Sequence, residues 1–174
     1  AKVLINHGIY IDIFYTNKNK NFNKLRTLGI SKSNIEYFNK DIVNIEKLLW
    51  NINNIEIFSE NLKNKKILDF KNNNQRLFSI IKNDDLYKIF FSKLIRNKHF
   101  NLKKKINYND YKLIINCDFN NELTKKFFFK QFLKDYSSYA HATIIQHEKF
   151  KNNHIASQIF TKIGPIAFLP ISEK

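Results

Sequence analysis

Residues 156–172 read "ASQIFTKIGPIAFLPIS", and the fold turns on how they are placed. The whole chain holds 3 glycines and 2 prolines, yet one glycine and both prolines fall between Gly164 and Pro170. Gly164 permits a positive φ or a close backbone approach. Pro165 fixes φ and removes an amide donor. Pro170, inside an extended apolar run, marks a sheet edge or a strand end, because a central strand would lose a ladder bond there. The stretch is therefore expected to be a rigid apolar segment at the margin of a sheet, of the kind that floors an apolar pocket.

Working outward, residues 138–148 and 154–162 alternate and read as two long strands joined by the polar turn "KFKNN", with 165–171 as a final strand. Upstream, "YKLIINCD" (111–118) reads as a buried strand and "NELTKKFFF" as the helix after it. "NIEIFSE" (54–60) and "KKILDFK" (65–71) form a hairpin, with "RLFSIIK" (76–82) as a third strand. Asn83 or Asp84 caps a helix over 85–95 whose stripe is Leu86, Ile89, Phe90, Leu94 and Ile95. A second helix is expected over 42–50, with Ile42, Ile45, Leu48 and Leu49 on one face. Ser31 or Ser33 caps a helix through Phe38, after the extended "LRTLGIS" and the polar loop 17–24. At the start, "AKVLINHG" reads as a helix closed by Gly8 and "IYIDIFY" as a strand, which together make half of a βαβ unit. The order is α/β first and antiparallel strands last: an α+β appendage on a nucleotide-binding type of α/β sheet.

Composition narrows the function. Hydrophobic residues make up 43% of the chain, enough for a core. No apolar run approaches the ~20 residues that cross a bilayer, and the opening residues do not form a secretory signal. The lone Cys117 excludes an internal disulfide framework and fits a reducing cytosol. The net charge of +15 points towards polyanions, but only Arg26, Arg76 and Arg96 of the 30 basic residues are arginine. Lysine, asparagine, isoleucine and phenylalanine dominate, as an AT-rich genome dictates, whereas nucleic-acid surfaces favour arginine's bidentate fork. No specific nucleic acid is expected, and weak affinity for an anionic membrane surface is a by-product. With no methionine and an opening inside a helix, the chain reads as a piece of a longer one.

Few side chains stand out chemically. A metal site could be drawn from His141, His147 and His154, but zinc wants three or four ligands with supporting partners, and the one cysteine lies far away in sequence, so no metal is expected. Cys117 reads as a small buried thiol in a strand, and Asp84 and Asp85 as helix-start carboxylates. Asp118 ends the 111–118 strand before a helix, at the carboxyl edge where open α/β sheets bind ligands. The alternative is a turn residue that caps the helix.

The motifs carry a resemblance. Tyr139 and His141, then His154, Ala156, Phe160, Thr161, Gly164, Pro165, Ala167, Leu169 and Pro170, resemble a signature of the FAD-dependent aromatic hydroxylases of ubiquinone biosynthesis, within the para-hydroxybenzoate hydroxylase-like flavoproteins. "LRTLGIS", "NDDLYKIFFSKL" and "LIINCDFNNELTKKF" are similar to further family segments in the same order. The resemblance implies a partial Rossmann-like FAD/NAD(P)-binding domain over 1–135 and the start of an antiparallel substrate-binding sheet over 136–174. It implies FAD as cofactor, NAD(P)H as reductant and a polyprenylphenol as substrate. It sets Arg26 along the FAD phosphate or ribose and Asp118 near the flavin or pyridine nucleotide. Gly164, Pro165, Ala167, Leu169 and Pro170 would lie over the substrate pocket. A quinone-biosynthesis protein complex and a cytoplasmic location peripheral to the inner membrane follow as partners and place.

The chain departs from the family pattern at Tyr15, Lys24, Phe119, His141 and Ile159. The Gly-x-Gly-x-x-Gly loop would precede Ala1, and the Gly-Asp segment would follow Lys174. The expectation is an inactive fragment with no catalytic residue of its own. Two alternatives stand beside it: a diverged scaffold or lipid-binding subunit, and a basic nucleic-acid-binding protein.

Overall fold

The computed structural model describes residues 1–14, 25–63, 65–71, 75–118, 121–128, 130, 132–148 and 152–173. The 17–24 loop, Tyr15, Lys24, Phe119 and most of the "KFKNN" turn lie outside them. The chain is mixed α/β, and the described residues form three sheets. Helix α1 (Lys2–Asn6) ends at Gly8, whose φ of +75° suits glycine, and leads into β1 (Ile11–Phe14). Strand β1 pairs in parallel with β7 (Phe100–Lys103). A second sheet has the order β2 (Thr27–Ser31), β6 (Phe78–Lys82), β3 (Trp50–Ile52), all antiparallel. The third has the order β5 (Lys65–Lys71), β4 (Asn54–Ser59), β8 (Ile155–Thr161), β9 (Gly164–Phe168).

The middle sheet carries the core on both sides. Towards α2 (Lys32–Tyr37) and α3 (Asn83–Ile95), Ile30, Ile35, Ile45, Ile81 and Leu86 bury one another, joined by Phe38, Ile89 and Phe90. On the other side, Ile52, Ile80 and Ala156 form a second cluster with Trp50, Ile55 and Phe78. Ala156 belongs to β8, so this cluster links the middle sheet to the four-stranded one.

Many expected elements form as read. Ser31 caps α2, its hydroxyl accepting from the Asn34 amide at 3.3 Å. The 54–71 hairpin forms as β4–β5, with a bulge between Ile57 and Phe58. The motif stretch folds as the β8–β9 hairpin, turning through Lys162 and Ile163 into Gly164 at φ +138°. Strand β9 is an edge and stops at Phe168, short of Pro170, so both prolines avoid a central position.

Five expectations are corrected. The helix over 42–50 does not form. Asn39 and Asn44 use their side-chain oxygens to take the amides of Ile45 and Glu46 at 2.9 and 3.0 Å. That local bonding competes with the helical ladder, and Trp50 then starts a strand. Ile45 and Leu48 still reach the core. Strand 76–82 does not extend the hairpin. Buried at Ser79, Ile80 and Ile81, it becomes the centre of the other sheet. In α3 the N-cap is Lys82, with Asn83 and Asp84 inside the first turn, where Asp84 pairs with Lys88 at 2.6 Å; Ile95 faces solvent. Residues 111–118 join no ladder, and Leu113 is 74% exposed. Extended apolar sequence makes a strand only where a partner edge is available. Residues 138–148 form no strand either, because β4 and β9 already occupy both edges of β8.

Truncating Ile45, which is fully buried, to alanine is expected to cost about 2–5 kcal/mol. Ser31→Ala is expected to cost about 1 kcal/mol through the lost cap. Urea unfolding of each variant measures both, and equal losses would contradict this assignment of core and cap.

Candidate functional site

Strand β1 alternates Ile11, Asp12, Ile13, which sets the Asp12 carboxylate on one face of the parallel pair. Asn101, its register partner on β7, donates to Asp12 Oδ1 at 3.0 Å. The Tyr111 hydroxyl donates to Asp12 Oδ2 at 2.6 Å, and Lys103 Nζ lies 3.9 Å away. The Tyr111 bond, above all, holds the Asp12 carboxyl below its ordinary value; Asn101 and Lys103 add to this and partial burial opposes it. The same bond pushes the Tyr111 phenol up, since the carboxylate accepts its proton in a hydrogen bond. This contact anchors the ladderless 111–118 segment to β1 and β7.

Beyond that anchor a polar knot shapes the chain. Asn121 caps α4 (Glu122–Phe127), accepting from the Thr124 amide at 2.9 Å. Its own amide donates to Asn116 Oδ1 at 2.6 Å. Asn116 Nδ2 donates to Thr124 Oγ1 at 2.7 Å, and that buried hydroxyl donates to the Asp118 carbonyl at 2.9 Å. The backbone of residues 116–124 is thus tied from both ends, with the exposed Asp118 at the lip of an open cleft of about 490 Å³. Asn116, Cys117 and Lys130 line its polar side, and Phe128, Phe132 and Leu133 its apolar side. Such a mixture suits a flat ring with polar substituents.

The sequence-derived site residues are not gathered in this cleft. Asp118 lines it, but not from a strand end at a parallel-sheet edge; it sits in a loop, and Asn121 rather than Asp118 caps the helix. Arg26 is exposed just before β2, its carbonyl accepting from the Asn83 amide at 2.9 Å. Gly164, Pro165, Ala167, Leu169 and Pro170 line neither this cleft nor the one at the β4–β8 pair. Pro165, Ala167 and Leu169 are exposed on or after edge strand β9. Cys117 is exposed rather than buried in a strand. Among the described residues no three His, Cys, Asp or Glu side chains cluster as a metal site requires. His154 is instead engaged structurally, its Nδ1 2.7 Å from the Asn51 carbonyl and its ring stacked on Trp50. Sequence reading missed Asp12 and Tyr111, which are 99 residues apart, and the Asn116–Asn121–Thr124 knot. A lone aspartate between two isoleucines was the only sign of the first.

No protein-family model matches the chain, and no curated protein matches its sequence. Among the described residues no helix is long and apolar enough to cross a membrane.

Replacing Tyr111 by phenylalanine is expected to lower stability in a pH-dependent way. The depressed Asp12 pKa contributes stability that is present above the ordinary value of 3.8 and lost as pH falls through the lower folded value. The raised Tyr111 pKa contributes stability present below 10.0 and lost as pH rises through its higher folded value. The stability gap between native and Tyr111→Phe chains should therefore be flat between these limits and close outside them. A gap that widens in acid would refute the pairing.

Proposed function

We propose that residues 1–174 are the middle of an FAD-dependent aromatic hydroxylase of the ubiquinone-biosynthesis type. On this reading residues 1–135 belong to its Rossmann-like FAD/NAD(P)-binding domain, and residues 136–174 begin its substrate-covering sheet. The observation that carries the reading is the β8–β9 hairpin. Gly164 takes a positive φ and Pro165 sits on β9, the edge strand of a four-stranded sheet, as a segment built on the Gly-Pro-x-Ala-x-Leu-Pro motif is expected to. The α1–Gly8–β1 start, with β1 parallel to β7, also suits a nucleotide-binding sheet.

FAD itself does not fit the residues present. A pyrophosphate is seated by glycine amides at a strand-to-helix turn. Gly8 links a helix to a strand, Gly29 lies inside β2 and Gly164 opens β9. Asp118 lines one of the two clefts, and Arg26 and the 164–170 segment line neither. The proposed reaction therefore belongs to a longer protein. There, one atom of O2 replaces a ring hydrogen of a polyprenylated phenol as hydroxyl, and the other leaves as water with two electrons from NAD(P)H. In that protein Arg26 would follow the FAD phosphate or ribose, Asp118 would approach the flavin or pyridine nucleotide, and the 164–170 wall would cover the phenol.

A second reading, a diverged lipid-binding or scaffold subunit, is favoured by the apolar side chains open to solvent on the outer strands, Ile67, Leu68 and Phe70 on β5 and Ile166 and Phe168 on β9. The reading frame on either side of residues 1–174 separates the two. In-frame codons for Gly-x-Gly-x-x-Gly upstream and Gly-Asp downstream are expected. Stop codons bounding the chain on both sides would overturn the hydroxylase reading. The 174-residue chain mixed with one equivalent of FAD is expected to retain no flavin absorbance after gel filtration, and a stoichiometric yellow complex would contradict the misfit.

A further inference from the structure

The open cleft beside α4, of about 490 Å³, lies within the roughly 300–1,000 Å³ of small-molecule sites. Two of its polar side chains are already committed to the knot. Asn116 Oδ1 accepts from the Asn121 side-chain amide at 2.6 Å and from the Asp118 backbone amide at 3.1 Å. Asn116 Nδ2 donates to Thr124 Oγ1 at 2.7 Å, and that hydroxyl gives its proton to the Asp118 carbonyl. The Cys117 thiol is only a weak donor. The lining then holds two charged side chains, Asp118 and Lys130, one of each sign. Lys130 forms no ion pair among the described residues. Both side chains are exposed, so each charge can turn towards a ligand, and a carboxylate accepts several donors at once.

The other half of the lining is apolar and wet. Phe128 is 60% exposed, Leu133 79% and Phe132 92%. Large apolar groups gathered at a cleft and rimmed by polar ones mark a binding surface. The two charges restrict what enters. A simple anion drawn to Lys130 is repelled by Asp118, and a simple cation meets the reverse. A wholly apolar molecule takes water from both charges and gives nothing back. A ligand that carries both signs beside an apolar group answers every part of the lining.

We propose that this cleft binds a free α-amino acid with an apolar side chain, its carboxylate on Lys130, its ammonium on Asp118 and its side chain against Phe128, Phe132 and Leu133. An aromatic side chain suits the two phenylalanine rings best, since aromatic pairs gain beyond the area they bury. Nothing in this site depends on the hydroxylase reading, which the flanking frame tests separately.

The test is an NMR titration of the 15N-labelled 174-residue chain, followed at the backbone amides of Asp118 and Lys130. At about pH 6 both ionic groups of an amino acid are charged. The probes are L-phenylalanine, glycine, N-acetyl-L-phenylalanine, which lacks the ammonium, and L-phenylalaninamide, which lacks the carboxylate. L-phenylalanine is expected to shift both signals saturably in the millimolar range, on the order of what a ligand of its size reaches. Each blocked form is expected to bind about fivefold more weakly, as the loss of one exposed ion pair dictates. Glycine, with no side chain to cover the rings, is expected not to saturate. Asp118→Asn leaves the backbone bonds of the knot in place; it should make L-phenylalanine and its N-acetyl form bind equally. Lys130→Met should make L-phenylalanine and its amide bind equally. A general loss of structure produces neither equality. No saturation with L-phenylalanine overturns the site. So do equal affinities of the three phenylalanine forms for the native chain, which would leave an apolar patch alone, glycine binding as well as phenylalanine, or unchanged preferences in the two variants.

Discussion

Two adjacent isoleucines on one strand, Ile80 and Ile81, hold the molecule together. Successive side chains of a strand point to opposite faces, so Ile81 enters the cluster beneath α2 and α3 while Ile80 enters the cluster shared with β3 and β8. Strand β6 is therefore the element through which the two cores meet. It also explains why the four-stranded sheet lies where it does: Ala156 on β8 packs against the Ile80 side, and a small residue there lets the sheets approach. The β8–β9 hairpin, and the β4–β8 cleft with it, are positioned through that contact.

Local signals in the sequence were legible where their partners were near. The Ser31 cap, the Gly8 helix end, the 54–71 hairpin and the Gly-Pro edge strand each follow from a few consecutive residues. Signals that needed a distant partner misled. Residues 111–118 and 138–148 have the apolar alternation of strands, but pairing is decided by which edges remain open, and β8 had none to spare. The 42–50 segment shows the opposite failure. Its apolar spacing is helical, and Ile45 does reach the core, but two asparagine side chains take the amides that a helix would use.

The candidate sites were less legible than the fold for a related reason. Asp118 was singled out because of its neighbours, and it does line a cleft, but the strand invoked to place it is missing. The Asp12–Tyr111 and His154–Asn51 contacts join residues 99 and 103 positions apart, beyond any local pattern.

Strand β4 has one neighbour close by in the chain and another far away. Its hairpin with β5 closes over a short loop, an event of microseconds. Its parallel pairing with β8 waits for residues near the other end, as the 103-residue span from Asn51 to His154 shows. On a ribosome emitting about 5–20 residues per second, the nascent hairpin would stand for seconds with the second edge of β4 unclaimed. During that interval the amides and carbonyls along Asn54–Ser59 are open to any extended peptide that passes. Stray pairing at that open edge then competes with the native β4–β8 pairing until Ile155–Thr161 has been made.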